Sequence, residues 1–307
     1  MAIHMNLGHP TAASIDLDHT DSSQLVERKV TCPFVGSAVA QGKLLVRNTL
    51  DNPLASIEDL KGLGNSGGGD LGDLLVLFAS GNHAFMKGST EALDTPAPDG
   101  LFSLEFPGSQ GSHPGHSGIL QGDPRTIGSG RLSLDDFARL TRRATNGAVG
   151  RSDTARFIAE NLHRDPDAKV FGTSAIVAFG EDLFSLLHST AASWISRLSD
   201  SGGDAHAAHR IMETRLTKLL GDDNLIGSAG EYGLLFAFLA NRPGAPKIDD
   251  EPALSLRDLQ EMFVHKQLPL GWASWIKTRR DWTLNTFALL VGAGKEYWRL
   301  RDGPGTG

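Results

Sequence analysis

One pattern constrains the fold of this chain more than any other: a capping residue, an apolar stripe with a 3.6-residue period, then a Gly or Pro stop. In SGRLSLDDFARLTRRATNG, Ser133 stands at an N-cap with Asp136 three residues on. Leu134, Phe137, Ala138 and Leu140 share one face of that helix, and Gly147 closes the unit. SDTARFIAENLHRDP repeats the logic, with Ser152 as cap, Ala155, Ile158 and Leu162 as the stripe and Pro166 as terminator. Helical periodicity recurs over 173–198, 205–220, 231–240, 255–267 (Ser255 capped by Asp258) and 278–290. No comparable series of alternating strands accompanies it. The pattern predicts an all-α class, with a single mostly helical domain interrupted by long irregular loops.

The stretch between residues 63 and 130 is the main interruption, rich in Gly, Pro, Ser and Asp around one helical island, DLGDLLVLFASGNHAFM. Within it GNSGGGDLGD lacks the Lys-Ser/Thr of a phosphate loop, and it reads as a turn into a helix. Residues 1–25 mix Asp, His, Thr and Ser with little periodicity and read as an extended N-terminal arm. The helical domain then spans 26–300, and 301–307 form a flexible tail.

Composition narrows the partners. The net charge is -7 with 21% charged residues, which argues against a phosphate-backbone partner and so against nucleic acid. The longest apolar runs, around 74–80 and 232–240, fall short of the roughly 20 residues of a membrane span. No basic start leads into an apolar run at the N-terminus, so no signal peptide is expected and a cytoplasmic location is the default expectation.

Sulfur chemistry is narrower still, because Cys32 is the only cysteine of 307 residues. An intrachain disulfide and a Cys-rich zinc site are excluded by counting. In RKVTCPFVGSAVAQGKL, Pro33 suits a first helical turn and Gly42 a helix stop, which places Cys32 at an N-cap. Unpaired N–H groups there favour a thiolate, lower its pKa and make it a soft metal ligand. A small buried apolar residue is the plainer alternative.

Three further places could carry chemistry. Glu181 and Asp182 interrupt the apolar run AIVAFGEDLFSLL, so Glu181 is either a proton carrier with a pKa raised by desolvation or a solvated, helix-capping acid. His113 and His116 in GSQGSHPGHSGILQGDP are either ligands or incidental loop histidines. HAAHR at 206–210 opens an amphipathic helix without a partner motif and reads as structural. Phe78, Phe85, Phe102, Phe106 and Phe179 are candidates for an apolar access route or for plain core.

Taken together, the Cys-Pro block, the histidine loop and the Gly-Glu helix resemble the haem-thiolate peroxidases of the chloroperoxidase and unspecific peroxygenase family. That family opens with a Cys-Pro whose sulfur ligates haem iron, then a short helix, a Gly, a Leu and an Asn or Arg. Cys32, Pro33, Gly42, Leu44, Arg47 and Asn48 follow this order, and ASIEDL resembles the start of the next helix. GHSGILQGD is similar to the family's propionate-side loop, with His116 and Leu120 matched. Gly115, Ser117 and Ile119 stand where Glu, Asp and Ser are usual. The usual magnesium ligands are therefore unmatched, and a shifted register would use His113. AFGEDLF resembles the distal aromatic-Gly-Glu, with Ser174 where longer members carry a charge-stabilising Arg.

The resemblance covers roughly residues 28–187. It implies haem b between the helix after Cys32 and a distal helix, with Cys32 as axial ligand and Pro33, His113 and Ser117 beside the cofactor. Glu181 would be the distal acid-base and His116 its partner. Hydrogen peroxide would oxidise or oxygenate a small organic substrate, or a halide, as in a peroxidase or peroxygenase. Two other classes stay open: a haem-thiolate sensor or carrier without turnover, motivated by the degenerate loop, and a haem-free enzyme with Cys32 as nucleophile.

Overall fold

The computed structural model describes residues 13–30, 32–51, 53–72, 74–75, 101–104, 132–164 and 225–303. These are mostly helical. The helices are α1 (His19–Lys29), α2 (Pro33–Ala40), α3 (Ile57–Gly64), α4 (Leu134–Thr141), α5 (Arg151–Arg164), α6 (Leu225–Leu239), α7 (Leu256–Leu259) and α8 (Arg279–Arg301).

Strands are short. The strands β1 (Arg47–Asn48), β2 (Pro53–Ser56) and β3 (Leu101–Ser103) form an antiparallel sheet in that order, with Arg47 opposite Leu54 and Leu54 opposite Ser103. The strands β4 (Ala148–Val149), β5 (Lys247–Ile248), β6 (Glu251–Pro252) and β7 (Leu254–Ser255) make two two-stranded ladders, β4 with β7 and β5 with β6. No helix among the described residues is long and apolar enough to cross a membrane.

Several local expectations hold for their stated reasons. Ser133 caps α4 by accepting from Asp136 N–H, and its hydroxyl donates back to the Asp136 carboxylate at 2.8 Å. Arg139, Arg143 and Arg164 then join Asp136 to Glu160 and Asn161, which locks α4 to α5. The helix expected over 278–290 forms as α8 and runs on to Arg301, with Thr278, which the sequence alone did not single out, as its cap accepting from Asp281 N–H. Past the end of α2, Gly42 turns the chain at φ 64°, a conformation that costs glycine nothing.

Other expectations shift. The stretch read as an extended arm, 1–25, becomes helical at His19, where Asp18 accepts from Asp21 N–H at 2.8 Å. Only a short apolar step, Leu25 and Val26, seats that helix, which is too little to show as periodicity. Helix α5 starts at Arg151, so Ser152 lies inside it rather than capping it. Ser255 makes no side-chain cap, and the Asp258 carboxylate accepts from Arg242 Nε at 2.6 Å. Helix α7 ends after one turn and passes into a π-helical turn, Gln260–Val264. The expected helices 173–198 and 205–220 lie outside the described residues.

The core is one continuous apolar cluster built chiefly by α6 lying along α8, with α8 in turn along α5. Helix α6 is buried almost all round, as its nearly unbroken apolar sequence LIGSAGEYGLLFAFL requires. Its register on α8 is pinned twice. Trp282 Nε1 donates to the Gly230 carbonyl at 3.0 Å, and Gly233 sits so close to Thr286 that a Cβ there would lie 2.0 Å from its hydroxyl oxygen.

Candidate functional site

Helix α2 is the element that positions the thiol. Pro33 occupies its first turn and Cys32 its N-cap, with Cys32 C=O accepting from Gly36 N–H at 2.8 Å. Every residue from Pro33 to Val39 is buried, so the helix has no solvent face to let it rotate. Phe34 stacks on Phe238 at 4.8 Å and meets Trp272 at 4.9 Å, and burying such a ring contributes roughly 1.5–3 kcal/mol. Buried Ser37 donates both to Pro33 C=O at 2.7 Å and to Met262 C=O at 3.1 Å, tying α2 to the π-helical turn.

The aromatic wall behind Phe34 is itself anchored. Trp275 Nε1 donates to Phe238 C=O at 2.9 Å and Trp272 Nε1 to Leu63 C=O at 3.2 Å. Beneath both indoles lies Lys277, wholly buried, its Nζ 4.5 Å and 4.7 Å from the two ring centres. The ammonium donates to Ser66 Oγ at 3.1 Å and to the carbonyls of Trp275 at 2.9 Å and Trp272 at 2.5 Å. Burial still pulls its pKa down to about 8.

Cys32 is 7% exposed and lines a pocket with Pro33, Phe34, Leu75, Glu231, Phe238, Met262 and Phe263. Burial is the largest influence on its thiol and pushes the pKa up to about 12. The amides of Val35 and Phe34 pull the other way without closing a capping hydrogen bond on the sulfur, and Glu231 adds to the rise. This corrects the expectation of an N-cap thiolate: at a buried N-cap, desolvation outweighs two weakly directed N–H dipoles.

Glu231 is the residue that sequence reasoning passed over. It is 6% exposed and is the one charged residue of α6, held in the pocket wall by the Trp282 bond to the preceding Gly230. An acid inside an apolar run is the signal that singled out Glu181, and LIGSAGEYGLLFAFL carries it as clearly.

Of the sequence-predicted site, the structure brings Cys32 and Pro33 to one pocket. Glu181, His116, His113 and Ser117 lie outside the described residues, as do Phe78, Phe85, Phe106 and Phe179. Phe102 lies in β3. A haem is compatible with the donor chemistry present, which is a single buried thiol on a rigid helix start, apolar walls and a neighbouring carboxyl group. The space closed by the pocket's own walls is about 40 Å³, room for about three waters. The described walls alone therefore do not enclose a macrocycle.

Compared with known proteins, the chain matches no family model, no curated protein and no solved structure.

Proposed function

We propose that the chain is a haem-thiolate oxidoreductase that uses hydrogen peroxide to oxidise or oxygenate a small organic substrate, or a halide. In this proposal one helical domain holds haem b between α2 and a distal helix around Glu181. The observation that carries it is the only thiol of the chain, fixed at the N-terminal end of α2 and lining an apolar pocket beside the buried Glu231.

The state of the thiol discriminates between chemistries. A cysteine held near pKa 12 is protonated at neutral pH, which speaks against a haem-free enzyme using it as a nucleophile. Coordination to a metal expels that proton outright, so the same burial that silences a nucleophile is tolerated in a ligand. Haem on a thiolate supplies heterolytic cleavage of a peroxide O–O bond.

The remaining roles belong to side chains. Pro33 leaves no surplus N–H at the first turn, and Phe34 and Ser37 hold the sulfur's backbone still. Phe263 and Met262 give the pocket beside the sulfur apolar walls. Burial keeps the free thiol protonated and Glu231 adds to that, since a negative charge nearby disfavours a second one. Glu181 is proposed to move the peroxide proton, with His116 holding its carboxyl group and His113 and Ser117 beside the cofactor; these four assignments rest on the resemblance.

The test is to titrate haem into the purified chain, then add peroxide with an aromatic acceptor and, separately, with halide. A Soret band and peroxide-dependent turnover support the proposal. A Soret band without turnover moves the chain to a sensor or carrier, and no Soret band at any haem ratio removes the proposal.

A further inference from the structure

A second pocket opens on the other side of the π-helical turn, lined by Gln41, Lys43, Arg242, Arg257, Asp258, Glu261 and the loop Gln267–Gly271. Its volume is about 340 Å³, within the roughly 300–1,000 Å³ of small-molecule sites. Its chemistry is opposite to that of the Cys32 pocket. Three cations from distant parts of the sequence face two acids here, and one of those acids, the 2% exposed Asp258, is already engaged by Arg242.

The donors left over decide what the pocket takes. Arg242 meets Asp258 through Nε alone, so both Nη groups of its guanidinium remain, and the Asp258 contact fixes their plane. Gln41 Oε1 accepts from Leu268 N–H at 3.2 Å, which leaves the Gln41 amide NH₂ as a donor. Lys43 and Arg257 make no ion pair among the described residues. Against these donors stand the Glu261 carboxylate and the second oxygen of Asp258, so the lining carries three cations to two acids.

The loop that closes the pocket is preformed. Gln267 N–H donates to Glu261 C=O at 2.9 Å, Trp272 N–H to Pro269 C=O at 3.0 Å, and Lys266 and Gly271 set the bends with φ 52° and 79°. Donors on a fixed frame bind an anion without first ordering themselves.

We infer that this pocket is a binding site for a small carboxylate- or phosphate-bearing molecule, gripped by the Arg242 fork, Arg257, Lys43 and the Gln41 amide. A hydroxyl or amine on the same ligand would meet Glu261. The site is independent of haem and of peroxide chemistry.

The experiment is calorimetric titration of the purified full chain, at constant ionic strength, with inorganic phosphate in one arm and malonate in the other. Thermal melts of every variant accompany it. Saturable binding of either anion is expected, and the arm that binds identifies the class. In Lys43→Gln/Arg257→Gln, both exposed positions, the unliganded melt stays as in wild type while affinity falls by about tenfold or more, the loss of charge-assisted contacts. Arg242→Lys keeps a cation on Asp258 but loses the fork, and it should weaken malonate more than phosphate. Absence of binding in both arms, or equal binding by the double variant and wild type, overturns the inference.

Discussion

The two pockets share a wall and surround their buried ionisable groups with different charges. The π-helical turn Gln260–Val264 sends Met262 and Phe263 to one side and Glu261 to the other. On the apolar side, burial and the Glu231 carboxylate act together, so the thiol keeps its proton. On the polar side burial is again the largest influence and leaves Asp258 raised, with Glu261 adding to the rise, but there Arg242 and Arg257 act against it. Burial thus dominates at both groups, and the difference lies in the cations that offset it at Asp258. The first setting suits a soft ligand that metal deprotonates; the second suits recognition of charge.

Changes on the apolar side should break this contrast in graded fashion, and the largest effect concerns turnover. Glu181→Gln should leave haem binding intact and lower peroxide-dependent turnover by roughly 10²–10⁴-fold, the scale of a lost general acid-base. Unchanged turnover in a stopped-flow assay would withdraw that assignment. Next comes stability. Lys277→Met leaves the Trp272 and Trp275 carbonyls and Ser66 without their donor, and should cost about 2–4 kcal/mol in urea unfolding. A midpoint equal to that of wild type would show that the buried ammonium does not hold the aromatic wall.

The pH dependence is subtler. A thiol raised from 9.0 to about 12 in the folded chain holds its proton where the unfolded chain releases it. Its contribution is complete below about pH 9 and is lost as pH rises toward 12. Haem-free wild type should therefore lose stability over that window relative to Cys32→Ala, measured as the difference in urea midpoints. Parallel curves would mean that the thiol is not desolvated. The smallest effect belongs to Glu231→Gln, which removes a charge that raises the thiol pKa. The ultraviolet titration of the thiolate should move to lower pH, and an unmoved titration would separate Glu231 from the sulfur.

Local chemistry was legible in the sequence where it was local in fact. Pro33 at the first turn, Gly42 past the stop and Ser133 with Asp136 involve neighbours in the chain, and each stands in the structure as its residue type predicts. Where a distant partner competes, the local rule yields. Ser255 and Asp258 have the spacing of a cap, but Ser255 makes none and the Asp258 carboxylate pairs with the distant Arg242. The thiol pKa failed for the same kind of reason, because burial depends on Leu75, Phe238, Met262 and Phe263, none of them near Cys32 in the chain. Lys43, Arg242 and Arg257 carry no shared motif, so their pocket could be seen only once the chain was folded.

The central claim rests on one sulfur and is tested most directly by one spectrum. The reduced, carbon-monoxide-bound absorption of the haem-loaded chain should show a red-shifted, thiolate-type band in wild type. Cys32→Ala and Cys32→His should both lose it, and Cys32→His should retain haem through its imidazole. A band of the same position in all three proteins, or a wild-type chain with no haem absorption at all, would contradict Cys32 as the axial ligand.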